Sequence, residues 1–220
     1  MFWLTPPSVA ETKPKTVTSL DYCSDQYVLA LADRSQIKAL SVESQNTHSF
    51  YKERAMGLPQ GRAELEDIIS KYPDIVIRHW AGDSRLIKTL EGYAINVISA
   101  NFDYSVSATE ENIRVIARAI DQETRGEAYI KTLKVQKHKN LSLPKRDLKA
   151  LYITPGGVTT GEGTMVDEII IQSGLINFGQ ELGLKGWGDL PLEYLAFKKP
   201  DLIITGFYDH KSTKVDNWTF

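Results

Sequence analysis

The sequence predicts an α/β protein of two similar lobes, each built on a parallel-type sheet, that are joined by a single long backbone helix. Three observations support this fold class. Short segments rich in β-branched residues alternate with helical segments toward both ends of the chain, which is typical of parallel sheets covered by helices. Residues 61–77 are repeated as residues 188–204. Between these repeats, residues 109–140 contain no proline and space their apolar residues as a helix does.

The first predicted lobe covers residues 16–106 and follows this alternation. Its strands are predicted at Val17–Leu20, Ile37–Ser41, Ile75–Ile77 and Ile95–Ile98. Its helices are predicted after a cap at Ser24 or Asp25, around Leu65–Ile69, and from Leu86 to a stop at Gly92. The mostly polar residues 43–60 are expected to form a loop. This order of strands and helices predicts a Rossmann-like lobe.

The linking helix is predicted over residues 107–142. A capping box at Ser107 and Glu110 favours a helix start there. At about 1.5 Å per residue, residues 109–140 span about 48 Å as one helix. Gly126 lowers helix stability by up to about 1 kcal/mol, so a break into two helices at that point is the alternative.

The second predicted lobe covers residues 143–220. A strand is predicted at Leu148–Thr154, a turn at Pro155–Gly157, helices at Met165–Gln172 and Leu192–Phe197, and a strand at Leu202–Ile204. In the first lobe, the corresponding strand is followed by a helix and another strand, whereas only residues 205–220 follow Ile204. We therefore expect the second lobe to be incomplete.

The internal repeat aligns Gly61–Ile77 with Gly188–Ile204 without a gap, at an offset of 188 − 61 = 127 residues. The Gly, Leu, Glu, Lys, Pro, Asp and final Ile positions are identical. The offset is far longer than a solenoid period, so it indicates two related lobes. Such lobes favour a ligand in the cleft between them, outside the carboxyl ends of the strands.

Composition excludes several classes of protein. The 220 residues carry 26 basic and 28 acidic side chains, a formal net charge of −2, so no basic surface for nucleic acid is expected. A hydrophobic content of 42 % argues against wholesale disorder. Cys23 is alone, which excludes an internal disulfide framework. No apolar segment approaches the roughly 20 residues that span a bilayer.

Residues 1–15 are not expected to join either lobe. Ser8-Val9-Ala10 has the small residues of an export-signal cleavage site, and Phe2–Leu4 would be the end of its apolar segment. Two interpretations remain open here: the remnant of a truncated export signal, or a disordered tail.

The motifs resemble the substrate-binding proteins of ABC importers for iron-siderophores and cobalamin, the class III periplasmic binding proteins. The resemblance covers roughly residues 16–206. It rests on Val17–Asp21 with Asp25-Gln26, on Leu65-Glu66 with Lys71–Ile77, and on Gly163–Met165, Gly174, Asn177 and Leu192-Glu193 through Pro200-Asp201.

This resemblance implies a monomeric periplasmic protein that is not an enzyme and needs no cofactor or resident metal. It implies capture of a metal chelate (a ferric siderophore or cobalamin, with haem as a further option) and its delivery to an inner-membrane ABC permease. Family members dock on the permease through one glutamate per lobe, and the matching positions are Glu66 and Glu193. Alternatively, each glutamate merely occupies the first turn of a helix, where the helix dipole favours it.

Ligand contacts are expected from loops at the strand ends. Aromatic rings offer flat apolar area for a chelate, Arg78 can pair with carboxylates or phosphates, and His48 or His79 could ligate a metal centre. Alternatively, the aromatic residues fill the lobe cores. The candidate ligand-binding residues are Tyr22, Tyr51, Arg78, His79, Trp80, Tyr104, Thr160, Trp187 and Tyr208.

An enzyme is the rival class. The sequence contains no Gly-x-Ser-x-Gly, P-loop or His-Glu-x-x-His motif. The glycine-rich residues 156–163 precede a helix and could hold an anion at its N-terminus. A tetrapyrrole metal chelatase is the enzyme alternative, and a fragment or paralogue that no longer transports is the third interpretation.

Overall fold

The computed structural model describes residues 14–101, 105–141, 144–190 and 193–205. These residues fall into two compact units. The first unit comprises the described residues up to Ala100 together with Arg114–Gly126, and the second unit comprises Asn101–Ile113 together with the described residues from Glu127 onward. Within the described ranges, no helix is both long and apolar enough to cross a membrane.

The first unit is built on a five-stranded parallel sheet with the strand order β3-β2-β1-β4-β5. The strands are β1 (Val17–Ser19), β2 (Ile37–Ser41), β3 (Gln60–Gly61), β4 (Ile75–Arg78) and β5 (Asn96–Ser99). The helices are α1 (Tyr22–Leu31), α2 (Lys52–Ala55), α3 (Leu65–Ser70) and α4 (Ser84–Gly92). The predicted parallel sheet is confirmed, whereas α2 lies within the predicted loop and β3 begins at the last residue of that loop.

The core of this unit is formed by strands that are buried on both faces, as expected in a covered parallel sheet. Val17, Val76 and Ile77 are fully buried. Val76 packs with Ile68 of α3 and Leu90 of α4 in one apolar cluster. The sheet therefore supplies a rigid base for the loops at its carboxyl edge.

The start of α1 differs from the predicted cap. Asp21, rather than Ser24 or Asp25, is the N-cap residue, and it forms a capping box with Ser24. The Ser24 amide donates to Asp21 Oδ1 at 2.9 Å. The helix therefore begins at Tyr22, and Ser24 and Asp25 are buried within it.

The prediction of one continuous helix is wrong. Two helices, α5 (Val106–Ala119) and α6 (Glu123–Leu141), are separated by a reversal at Asp121, whose φ is 59°. The Gln122 amide donates to Ala117 O at 2.7 Å and the Asp121 amide to Arg118 O at 3.3 Å, the pattern of a Schellman C-cap. The break does not lie at Gly126, which is part of α6.

Polar contacts with other residues of the first unit explain why the helix breaks next to Asp121. The Gln122 side chain donates to Asp33 Oδ2 at 3.0 Å and to Gln36 Oε1 at 2.7 Å. Arg125 donates to Leu31 O at 2.8 Å and to Asp33 Oδ1 at 2.6 Å. The hydrogen bond and charge of Arg125 lower the pKa of Asp33. These tertiary contacts override a helical pattern that continues across the junction.

The second unit contains a mixed sheet, which corrects the prediction of a parallel one. Its strands are β6 (Lys149–Ile153), β7 (Val158–Thr160), β8 (Ile176–Asn177), β9 (Trp187–Asp189) and β10 (Leu202–Thr205). The order is β10-β6-β7-β9, with β8 also paired to β6. Strands β10 and β8 run parallel to β6, whereas β7 is antiparallel to both β6 and β9. The helices are α7 (Met165–Gln172), α8 (Phe178–Glu181) and α9 (Tyr194–Phe197).

The antiparallel pairing originates in the predicted turn at residues 155–157. Gly157 has a φ of 81°, and its amide donates to Thr154 O at 2.9 Å. A three-residue turn with glycine in the left-handed region is a common hairpin connection. The chain therefore reverses after β6 and forms β7, where the sequence predicted a ligand-binding loop.

The sequence repeat corresponds to a structural repeat. The elements β3, α3 and β4 of the first unit match β9, α9 and β10 of the second at the offset of 188 − 61 = 127 residues. In both units the Pro-Asp aspartate fixes the start of the neighbouring strand. Asp74 Oδ2 accepts from the Thr16 amide at 2.7 Å, and Asp201 Oδ2 accepts from the Lys149 amide at 2.7 Å. The Pro-Asp motif is therefore a device for strand alignment.

The two copies differ in how their last strands are covered. Val76 of β4 is fully buried, whereas its counterpart Ile203 of β10 is 52 % exposed. Strand β4 lies between β1 and β5, and α3 and α4 pack against it. Among the described residues, β10 pairs with β6 alone.

Candidate functional site

The candidate site is the carboxyl edge of the first sheet, where α1 begins. Strands β1, β2 and β4 end there side by side, which is where ligands bind in open parallel sheets. The segments that follow these strands carry Tyr22, His48, Tyr51 and Trp80. Three polar side chains of α1 and its cap, namely Asp21, Asp25 and Gln26, fix these segments.

Asp21 fixes the turn after β4. Its carboxylate is fully buried, and Oδ2 accepts from the amides of His79 at 2.7 Å, Trp80 at 3.1 Å and Ala81 at 3.1 Å. Successive backbone amides that converge in this way form a nest for an anion. Asp21 thus joins the start of α1 to residues 79–81.

Arg78 holds the same turn from its carbonyl side. Its Nε donates to Ala81 O at 2.6 Å, and its Nη2 donates to Trp80 O at 3.0 Å and Gly82 O at 3.1 Å. Its Nη1 donates to Ser99 Oγ at 3.1 Å. The guanidinium is therefore committed to the protein itself in this structure, and pairing with an anionic ligand group stays a prediction.

Asp25 joins the ends of β1 and β2. Its fully buried carboxylate accepts from Ser19 Oγ, from the Ser41 amide at 2.9 Å and from Ser41 Oγ at 2.6 Å. Burial raises the pKa of Asp25, and the hydrogen bonds from Ser19 and Ser41 oppose that rise. A buried carboxyl in this position fixes the edge of the sheet but does not face solvent.

Gln26 positions the aromatic segment that follows β2. Its Nε2 donates to Ser49 Oγ at 3.0 Å, and its Oε1 accepts from the Tyr51 amide at 3.1 Å. The Tyr51 ring packs edge-on against Phe50 at 4.8 Å, and the Arg54 guanidinium carbon lies 4.5 Å from its centroid. Phe50 is 82 % exposed, so this segment presents aromatic surface to solvent.

The other first-unit candidates lie on the same edge. Tyr22 occupies the first turn of α1 rather than a loop, and its ring meets exposed His48 edge-on at 5.4 Å. Trp80 is 51 % exposed, whereas His79 is buried at 9 % exposure. The described residues include no group of three or more His, Cys, Asp or Glu that could hold a metal ion. Burial raises the pKa of the Cys23 thiol beside Tyr22.

Two second-unit candidates lie on paired strands. Thr160 of β7 stands opposite Trp187 of β9 in the ladder. Thr160 is fully buried, and its hydroxyl bonds that of Thr164, the N-cap residue of α7. The Thr160 hydroxyl is therefore engaged within the protein in this structure, and its contact with a ligand stays a prediction. Trp187 is 45 % exposed and packs edge-on to Tyr152 at 5.9 Å.

The glycine-rich segment before α7 does not form an open anion cradle. The amides of Gly161 and Glu162 donate to Gly186 O at 2.8 Å and Leu184 O at 3.0 Å. The Gly163 amide donates to Asp167 Oδ2 at 3.1 Å. Glycine is needed at position 161 because a Cβ there would lie 2.0 Å from Leu184 O. The segment is thus occupied by intramolecular bonds.

Asp167 is a buried carboxylate of the second unit that the sequence analysis does not single out. It accepts from Asn177 Nδ2 at 2.8 Å and from Gln180 Nε2 at 2.7 Å. Asp167 lies in the first turn of α7, the helix that follows strand β7, much as Asp25 lies near the start of α1, the helix that follows strand β1. The sequence feature that could have indicated Asp167 is the Gly163–Met165 motif shortly before it, together with its hydrogen-bond partner Asn177.

The two predicted docking glutamates are exposed and occupy equivalent places in the repeat. Glu66 lies in the first turn of α3, and Glu193 directly precedes α9. Glu66 also lines a groove of about 520 Å³ between the starts of α3 and α4, together with Glu64 and Asp83. The predicted ligand residues Tyr104 and Tyr208 lie outside the described residues.

Comparison with known proteins bears on these predictions. The family model described as "Periplasmic binding protein" matches residues 17–216. An uncharacterized ABC transporter substrate-binding lipoprotein, YvrC of Bacillus subtilis (strain 168), is 24 % identical over 94 % of this chain and 69 % of the relative.

Solved structures share the fold. A possible iron-binding (periplasmic solute-binding) protein from Staphylococcus epidermidis superposes with a TM-score of 0.76 at 19 % identity, covering 94 % of this chain and 82 % of that one. The periplasmic heme-binding protein RhuT from Roseiflexus sp. RS-1 gives 0.72 at 20 % identity, with 88 % and 76 % covered. HutB, the periplasmic heme-binding protein of Vibrio cholerae, gives 0.72 at 20 % identity, with 87 % and 76 % covered.

Proposed function

Because the chain belongs to the periplasmic binding protein family, we propose that it is the substrate-binding component of an ABC importer, captures a metal chelate and acts outside the cytoplasmic membrane. The relative from Bacillus subtilis is an ABC transporter substrate-binding lipoprotein, which supports the importer role and the extracytoplasmic location. The structural neighbours include iron-binding and heme-binding proteins, which supports an iron chelate or haem as the ligand class.

The observation that carries the choice of ligand is the set of partly exposed aromatic rings at the carboxyl edge of the first sheet. Phe50 and Trp80 are 82 % and 51 % exposed, and the backbone of each segment is tied to α1 or its cap. Flat aromatic surface of this kind suits the apolar face of a tetrapyrrole or an aromatic siderophore. Fixed backbone limits the ordering cost of binding.

The importer role also assigns a partner. We propose that Glu66 and Glu193 dock on basic groups of the membrane permease, since both carboxylates are exposed and stand at equivalent positions of the two units. Charge pairs at the rim of an interface steer encounter and fix register more than they add affinity. Ligand binding itself is not expected to depend on them.

Titration of the full chain with hemin, a ferric catecholate siderophore and cobalamin tests the ligand assignment. We expect saturable one-to-one binding of at least one iron chelate, followed by tryptophan fluorescence and visible absorption, with the chelate recovered chemically unchanged. Trp80→Ala should weaken that binding by about tenfold, in the range of one buried aromatic contact. Phe197→Ala, which removes an 88 % exposed ring of α9, is the matched control. Absence of saturable binding for all three probes would refute the proposed ligand class.

A further inference from the structure

The turn after β4 is held on both sides by side chains of opposite charge. The carboxylate of Asp21 binds the amides of residues 79, 80 and 81. The guanidinium of Arg78 binds the carbonyl groups of residues 80, 81 and 82. Both backbone polar groups of Trp80 are thereby bound to charged side chains.

Backbone groups of a turn can be paired by backbone, side chains or water, and here charged side chains bind both polar groups of Trp80. Here Asp21 is fully buried and belongs to the cap of α1. Arg78 is the last residue of β4 and also bonds Ser99 at the end of β5. The turn is therefore tied to three neighbouring elements of the rigid part of the unit.

The side chain of Trp80 stands in contrast to its fixed backbone. The ring is 51 % exposed, whereas the flanking His79 and Ala81 are 9 % and 7 % exposed. A fixed backbone under an exposed ring is what a preorganised contact requires, because the ordering entropy is lost on folding rather than on binding. Charge-assisted hydrogen bonds are also stronger and more directional than neutral ones.

We propose that Asp21 and Arg78 are positioning residues that preorganise Trp80 for ligand binding, an inference that rests on the proposed function of the same edge. Neither residue needs to touch the ligand. They act by holding the peptide planes on both sides of Trp80, so that the indole is carried on a fixed backbone in the free protein.

The first test measures the free protein and needs no ligand. In a background in which Trp3, Trp187 and Trp218 are replaced by Phe, time-resolved fluorescence anisotropy reports the local motion of Trp80 alone. Asp21→Asn and Arg78→Lys should each increase the amplitude of fast local motion at least twofold. Asp74→Asn makes the same change of charge at a carboxylate that binds a backbone amide at the opposite edge of the same sheet, and it should leave that amplitude unchanged. Unchanged local motion in Asp21→Asn and Arg78→Lys, with folding confirmed by circular dichroism, would overturn the proposal.

The second test is a double-mutant cycle on the affinity for hemin or whichever iron chelate the full chain binds. Asp21→Asn should weaken binding about tenfold when Trp80 is present and less than twofold in the Trp80→Ala background, because coupled residues are not additive. A purely structural role would give the same loss in both backgrounds, and that result would contradict the proposal. If the parent chain binds none of the probes, the proposed function fails, while the anisotropy measurement still decides whether the turn is clamped.

Discussion

Asp25 is the buried carboxyl whose ionisation we expect to influence stability. Burial raises its pKa above the ordinary value of 3.8, so the native state binds the proton more tightly than the unfolded chain. The stabilising contribution is complete below the unfolded pKa and is lost as the pH rises through the raised native pKa.

Asp25→Asn tests this expectation because its neutral amide retains hydrogen-bond partners for Ser19 and Ser41. Urea unfolding followed by circular dichroism between about pH 4 and pH 8 measures the free energy of unfolding of both proteins. The Asn variant should gain stability relative to the parent as the pH rises. Asp147→Asn, at an exposed position, controls for the loss of one carboxylate. A difference between parent and Asp25→Asn that stays constant with pH would contradict the assignment.

The positioning residues of the candidate site were hard to predict from the sequence. Asp25 was interpreted as a helix cap, because an acidic residue near a helix start is explained by capping alone. Its partners Ser19 and Ser41 are 6 and 16 residues away, and the amides bound by Asp21 are 58 to 60 residues away. Only the strand order brings these residues together. The exposed aromatic Trp80 was predictable because it directly follows a buried strand.

At the scale of elements, regular apolar patterns were sufficient to predict many of the helices and strands. Strand β2 and helix α7 match their predicted bounds, since each contains several apolar residues and has clear end signals. Strands β7 and β9 were missed because they are short and partly glycine or polar. Their pairing comes from a hairpin turn and from tertiary contacts, which leave little periodicity.

The reversal between α5 and α6 leads to a prediction about Asp121, whose φ of 59° lies in the left-handed region. Asp121→Gly should be neutral or stabilising, whereas Asp121→Val should lower the free energy of unfolding by about 1–2 kcal/mol, because a β-branched residue is strained there. Urea denaturation measures both. In a continuous helix the order would be reversed, since glycine is the poorer helix former.

A matched control for this prediction is available within α6. Lys131 is exposed and lies in the interior of that helix. At this position Lys131→Gly should be less stable than Lys131→Val by a few tenths of a kcal/mol. Opposite rank orders at positions 121 and 131 would establish the helix break independently of the structure. The same order at both positions would restore the single helix.

At the scale of the whole molecule, the repeat contains two pairs of identical acidic residues. One pair, Asp74 and Asp201, is structural, and the other, Glu66 and Glu193, is a candidate for function. Asp74 and Asp201 perform the same alignment in both units, which explains why the Pro-Asp positions are identical. Glu66 and Glu193 have no comparable role in either fold, since both are exposed at the start of short helices. Their identity in the repeat is the basis of the proposed docking on a shared partner.

Charge reversal of both glutamates tests this argument in a cell that depends on the importer for its iron chelate. Glu66→Lys with Glu193→Lys should reduce uptake at least tenfold and leave the dissociation constant for the chelate unchanged, because each reversal replaces an attraction to a basic pocket by repulsion. Each single variant should reduce uptake by an intermediate amount. That reduction should become larger when the ionic strength is lowered below physiological levels, because the screening of charges then weakens. Glu64→Lys, an exposed reversal two residues from Glu66 in the same groove, is the matched control and should transport normally. Reduced affinity for the chelate in the double variant would instead place these carboxylates in the ligand site. An equal loss of uptake in Glu64→Lys would show that the effect comes from general surface charge and not from these two positions.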